Sequence, residues 1–175
     1  MPYIKHSPDF IGHIRAPRLE SIEVRGNSSK NMEMTTSLGD MIEGSAPSAL
    51  RSLSMHFVDV ADENIIWCLK RLPSLETLRI GSCSVSDGVL QALATPTSGE
   101  KGTEWLLPRL TEMELVENPG MTPDGVVELI RSRNDPPACD ALTLPRVKGR
   151  VVFCKTVELK EGEDHAIYSS GDFSR

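Results

Sequence analysis

The 175-residue chain carries 19 Lys and Arg against 25 Asp and Glu, a formal charge of −6, with 39% hydrophobic and only 5% aromatic residues. That length suits one domain rather than two, and the acidic balance argues against a surface that tracks nucleic-acid phosphates or anionic membranes. No apolar run approaches the ~20 residues of a membrane span and Met1 to Phe10 lacks the apolar stretch of a secretory leader, so an intracellular protein, cytoplasmic or nuclear, is expected.

Read from the N-terminus, one pattern returns: Leu, two residues, apolar, one residue, apolar. It appears as Leu19-Ile22-Val24, Leu50-Leu53-Met55, Leu75-Leu78-Ile80 and Leu110-Met113-Leu115, here called units 1 to 4. Small residues or Pro-containing pairs lead in: Ala16-Pro17-Arg18, Ala49, Pro73-Ser74 and Pro108-Arg109. The last two apolar positions alternate as in a short strand with one buried face. After units 2, 3 and 4 come apolar residues at helical spacing: Ile65, Ile66 and Leu69; Val89, Leu90 and Leu93; Val126, Val127 and Ile130. Ser86 and Thr122 are N-cap residue types, and Pro123 suits a first helical position. Asp62, Asp87 and Asp124 fall where a carboxylate favours a helix N-terminus. Intervals between the leading leucines are unequal, and the extra lengths, Gly26 to Ser48 and Thr95 to Glu104, are rich in Ser, Thr, Gly and Asn and read as loops.

Unit 3, running from Leu75 through Leu78, Ile80, Cys83 and Val85 to Leu90, resembles the leucine-rich repeat family in its cysteine-containing form. Cys83 holds that family's Asn/Cys position, which the resemblance implies is a small group filling the bend after the strand and bonding backbone. Asn118 and Asn27 hold the matching places in units 4 and 1, while unit 2 has Val58 there. More narrowly, Leu107 to Leu115 and Asp124 to Arg133 resemble the C-terminal repeats of fungal F-box-like proteins, in which an N-terminal F-box binds the Skp adaptor and the repeats select targets for ubiquitination. No F-box-like helical segment precedes Ala16.

The expected fold is therefore α/β: a leucine-rich-repeat solenoid with parallel strands on the inner face, helices outside and an irregular C-terminal cap. Residues 1–135 hold about four repeats, 136–168 a degenerate repeat or capping strand, and 169–175 a mobile tail. Within the second segment, Cys139, Leu142 and Leu144 fit a degenerate fifth unit, and Arg150 to Leu159 alternates as an edge strand.

Motifs for chemistry are sparse. Cys68, Cys83, Cys139 and Cys154 lie far apart with no CxxC pair and read as reduced, apolar side chains. His6, His13, His56 and His165 lack metal-ligand spacings such as HExxH, the glycines form neither GxGxxG nor a Walker loop, and Ser82 lacks the glycines of a nucleophile elbow. Glu112 and Glu114 share one side of a strand, but a charged recognition surface explains them more simply than two-carboxylate catalysis. No enzyme activity, metal or cofactor is expected.

Residues between the apolar positions must point away from the core onto one open face. Unit by unit these are Ser21, Glu23 and Arg25; Ser52, Ser54 and His56; Thr77, Arg79 and Gly81; Glu112, Glu114 and Val116. Glu23, Arg25, Ser54, His56, Thr77, Arg79, Glu112 and Glu114 are the expected protein-binding residues. The resemblance implies the target-binding region of an F-box-like ubiquitin ligase receptor; the alternative is a freestanding repeat scaffold or inhibitor with no ubiquitin link.

Overall fold

The computed structural model describes residues 13, 15–16, 18–26, 32–44, 49–99, 102–134, 144–154 and 168–173. Strands β1 (Ser21–Arg25), β2 (Ser52–His56), β3 (Thr77–Gly81), β6 (Glu112–Val116) and β7 (Lys148–Cys154) lie side by side in chain order, all parallel. Parallel neighbours need long crossovers. Helices α1 (Met32–Gly44), α2 (Asp62–Leu69), α3 (Asp87–Ala94) and α4 (Pro123–Asn134) provide them and touch one another in sequence order. The chain is thus α/β with parallel strands in the order that the recurring alternation requires.

The registers align the apolar positions of each unit. Ile22, Leu53, Leu78 and Met113 form one row, and Val24, Met55, Ile80, Leu115 and Val151 the next. Both rows meet the helices' apolar residues in one core, where Leu53, Leu75, Leu78, Val89, Leu93 and Leu110 are wholly buried. Burying a side chain of that size contributes roughly 1.5–3 kcal/mol. Gly149 occupies the first row's slot in β7, because a Cβ there would lie 1.7 Å from the Met113 carbonyl oxygen.

Several expectations are corrected. The stretch from Gly26 to Ser48, read as a loop, contains α1, whose Leu38, Met41 and Ile42 are buried at helical spacing. Polar neighbours hid that stripe, and tertiary burial overrides weak propensity. Thr95 to Glu104 holds a short antiparallel hairpin, β4 (Thr97–Gly99) with β5 (Gly102–Glu104). The fifth parallel strand of the sheet is β7, while residues 139–143 of the segment expected as a degenerate fifth unit lie outside the described residues. Nor is β7 an edge, because Tyr168–Phe173, which enters the expected mobile tail 169–175, pairs with it antiparallel as β8. Backbone hydrogen bonds make that strand, and its sequence shows no apolar alternation to reveal it. On α4 the buried stripe is Val126, Leu129 and Arg133, while Val127 is half exposed.

What holds successive strands in step recurs along the sheet. Gly26, Phe57, Ser82 and Glu117 each follow a strand, and each donates its N–H across the sheet to His56, Gly81, Val116 and Val152 at 2.7–3.0 Å. Phe57, Ser82 and Glu117 all have positive φ, 56°, 50° and 53°. In the bend beyond, the Cys83 thiol donates to the Met55 carbonyl at 3.6 Å and to the Gly81 carbonyl at 3.3 Å. Asn118 occupies the equivalent place one unit on, donating from Nδ2 to the Ile80 carbonyl at 2.9 Å and accepting from the Cys83 N–H at 3.0 Å. Met55 and Ile80 are register partners, so the two bends perform one task. Asn27 lies outside the described residues.

Helix starts carry a second set of links. Ser86 caps α3 by accepting from the Gly88 N–H, and its own N–H and hydroxyl donate to the Asp62 carboxylate of the preceding unit. Thr122 repeats this at α4, with its N–H 2.7 Å and its hydroxyl 2.6 Å from the Asp87 carboxylate. The aspartates therefore join neighbouring helices as well as favouring their own helix dipoles. Arg133, one of the most deeply buried side chains, donates to the carbonyls of Leu93, Leu106 and Leu107 and lies over the Trp105 ring. Burial pulls its pKa down to about 10, which leaves it charged at neutral pH.

Candidate functional site

With Leu53, Met55, Leu78 and Ile80 turned inward, period-two geometry sends the intervening side chains to the opposite side of the sheet. Three rows cross the strands there. The first runs Ser21, Ser52, Thr77, Glu112, Lys148; the second Glu23, Ser54, Arg79, Glu114, Arg150; the third Arg25, His56, Gly81, Val116, Val152. All eight expected binding residues lie on this face. Glu23, Arg25 and Arg79 are exposed, and His56, Thr77, Glu112 and Glu114 are half-buried.

Ser54 departs from expectation, since only 8% of it is exposed. It lies between Glu23 and Arg79 in the register, beneath longer neighbours, and its hydroxyl is 3.0 Å from His56 Nε2. Ser54 is therefore floor rather than contact. His56 lies over Gly81, where a Cβ would approach Nδ1 to 2.6 Å, so this glycine makes room for the ring.

Charges on the face are largely answered within it. Arg79 Nε is 3.3 Å from Glu114 Oε2, and Arg79 Nη2 is 3.9 Å from Glu112 Oε2, which also accepts from the Thr77 hydroxyl at 3.4 Å. At the β1 end Arg25 Nε donates to Glu23 Oε1 at 2.5 Å. That hydrogen bond, helped by the charges of Arg25, His56 and Arg79, holds the Glu23 carboxyl below its ordinary range. Exposed pairs of this kind contribute little to the fold, about 0–1 kcal/mol for Arg79 with Glu114.

Lys148 and Arg150 were missed. Their Cα partners are Glu112 and Glu114, so they extend the same face by one strand. The signal was present: Lys148, Arg150 and Val152 alternate with Gly149 and Val151. The glycine in the apolar slot interrupts the recurring apolar pattern there.

Among the described residues, Cys68 and Cys83 are buried and free of disulfides, and burial pushes the Cys68 thiol up to about 11. Cys83 is also raised, chiefly by burial. Cys139 lies outside the described residues. No group of three or more His, Cys, Asp and Glu side chains is placed to hold a metal ion among the described residues, and no described helix is long and apolar enough to cross a membrane. Compared with family models, with curated proteins and with solved structures, the chain matches none. What the face offers chemically, among the described residues, is a broad polar surface carrying charges of both signs.

Proposed function

We propose that the chain is a stack of leucine-rich repeats of the cysteine-containing type and that the open face of its sheet binds another protein. The observation that carries the binding reading is the row Glu23, Ser54, Arg79, Glu114 and Arg150, one residue from each of five consecutive parallel strands. Strands ~4.8 Å apart spread such a row over ~19 Å, the scale of a protein contact rather than of a small-molecule cleft. The repeat reading is supported by the bends at Phe57, Ser82 and Glu117 and by the equivalent bonds of Cys83 and Asn118. In its fullest form the proposal makes this chain the target-binding region of an F-box-like ubiquitin ligase receptor, acting inside the cell.

An enzyme is not our reading. A nucleophilic serine needs an accessible hydroxyl and a base oriented through its second nitrogen, whereas Ser54 is buried and His56 Nδ1 lies over Gly81. The test is to capture a partner with the full chain and compare its Kd for wild type and Arg79→Glu. A loss of about 30-fold, equivalent to about 2 kcal/mol, with an unchanged melting temperature is expected. Equal affinities for reversals at Arg79, Glu23, Glu112 and Glu114 would remove the face from consideration. Sequencing the full message for an upstream F-box, and assaying its product for the Skp adaptor, separates the ligase receptor from a freestanding scaffold or inhibitor.

A further inference from the structure

The two ends of the six-stranded sheet are finished differently. At one end β8 runs antiparallel along β7, so the parallel series stops against a strand that closes it. At the other end, among the described residues, nothing pairs with the outer edge of β1. The direction of its backbone groups follows from its bonds to β2: the Glu20 carbonyl accepts from the Ser52 N–H at 3.0 Å, and the Gly26 N–H donates to the His56 carbonyl at 2.8 Å. Backbone groups alternate sides along a strand, so the even-numbered residues bond β2 and the N–H and C=O groups of Ser21, Glu23 and Arg25 point outward. The apolar rows are open at the same end. Leu19 and Ile22 are half-buried, whereas Leu50, Leu53, Leu75 and Leu78, their equivalents in the next two units, are buried. An edge of this kind is a template for a further strand.

We infer that β1 pairs with β1 of a second copy of this chain, antiparallel about a two-fold axis, so that two sheets become one. Charge selects this occupant and its register. In an antiparallel pair, residues that exchange both backbone bonds lie directly opposite each other, so Ser21, Glu23 and Arg25 are the residues that face one another across the seam. An axis centred on Glu23 sets Glu23 against Glu23 of the second copy, and one centred on Arg25 sets Arg25 against Arg25, both unfavourable like-charge contacts. An axis centred on Ile22 leaves each charge without an opposite one across the seam. Centring on Val24 sets Glu23 against Arg25 of the second copy and Arg25 against its Glu23, two opposite-charge pairs related by symmetry. Glu23 and Arg25 already meet on the open face within one chain, so both lie on the side where the second copy's charges arrive. On the helix side the same register brings Val24 against Val24 and Ile22 against Gly26 of the second copy, which closes the open end of the apolar row. Charges on an edge strand ordinarily keep other edges away. Two of opposite sign, two residues apart, instead suit a reversed copy of the same strand, and the interface is self-complementary, as a two-fold axis requires.

Self-pairing at this edge needs no other protein, so it is tested apart from what the open face binds. Sedimentation equilibrium of the full chain is measured over a concentration series for wild type, Glu23→Arg, Arg25→Glu, an equimolar mixture of those two variants, and Glu23→Pro, with circular dichroism and a melting curve for each. Wild type should approach twice the 19.2 kDa of one chain as concentration rises. Either charge variant alone sets like charges across the seam and should weaken association by about tenfold or more. Their mixture restores opposite charges at both positions and should associate as wild type does. Glu23→Pro removes an outward N–H that no bond within the sheet uses, so that variant should fold and remain a monomer. A wild-type chain that stays monomeric up to about 100 μM overturns the self-pairing and leaves the edge to another chain. So does a dimer that survives Glu23→Pro in a folded chain, or a mixture of the charge variants that associates no better than either alone. Should Glu23→Pro fail to fold, the mixture still decides, because its two substitutions alter only exposed side chains.

Discussion

The junction between units 3 and 4 and the junction between units 1 and 2 share the same parallel pairing but differ in what joins them besides backbone. In the first, Asn118 bonds both Ile80 and Cys83 across the bend, and Asp87 bonds Thr122 across the helix starts. In the second, the bend position is Val58, buried but unable to donate to the preceding unit. Burial differs in the same sense: Leu78 is wholly buried, whereas Ile22, at the end of the same row on strand β1, is only half-buried. On the repeat reading proposed above, stability is distributed through the junctions, so this chain should be held from the middle and open first at β1.

Four measurements sharpen or break that contrast. The largest effect is expected from Leu78→Ala, which leaves a cavity shared by neighbouring units and should cost about 2–5 kcal/mol in chemical denaturation. Ile22→Ala should cost less than half as much, and equal costs would remove the contrast. Asn118→Ala comes next at about 2–4 kcal/mol, because it orphans the buried Cys83 N–H and weakens the satisfaction of the Ile80 carbonyl. Hydrogen exchange should show this loss in β3 and β6 rather than in β1, and protection lost uniformly would contradict a local junction.

The third measurement concerns pH. Cys68 has an ordinary thiol pKa of 9.0 when unfolded and about 11 when buried in α2, desolvation being the cause. Its contribution to stability is fully present below about pH 9 and is lost as pH rises through about 11, because the unfolded chain ionises first. Cys68→Ala should flatten that part of the stability curve, and an unflattened curve would mean that another group titrates. Thiol reagents should reach Cys68 only when unit 2 opens. Smallest is the effect of Arg79→Glu on the fold, within about 1 kcal/mol by thermal melting, since its partners Glu112 and Glu114 remain hydrated. A larger loss would make the face part of the structure rather than a surface upon it.

The candidate site was legible wherever alternation was intact. Arg79 lies between Leu78 and Ile80, so its direction follows from theirs, and the same logic places Glu23, Glu112 and Glu114. It failed at Ser54, whose direction was right but whose burial depends on neighbours from other strands. It failed again at Lys148 and Arg150, because Gly149 replaced the apolar residue that announces a strand. The left-handed bends escaped for a different reason: nothing in the neighbours of Phe57, Ser82 and Glu117 along the chain reports a positive φ, and the recurrence appears only when the three are set side by side.

By itself the sequence determined the repeating strand, its buried and open faces, the helix starts at Ser86 and Thr122, and the bend residues Cys83 and Asn118. These depend on spacing and side-chain chemistry within one unit, which a linear pattern records. Tertiary structure alone decided the pairing of β8 with β7, the helix hidden between β1 and β2, the reach of Asp62 and Asp87 to the next helix, and the burial of Arg133. Each of these is a bond or contact between residues far apart in the chain, and its energy arises only once the units have stacked.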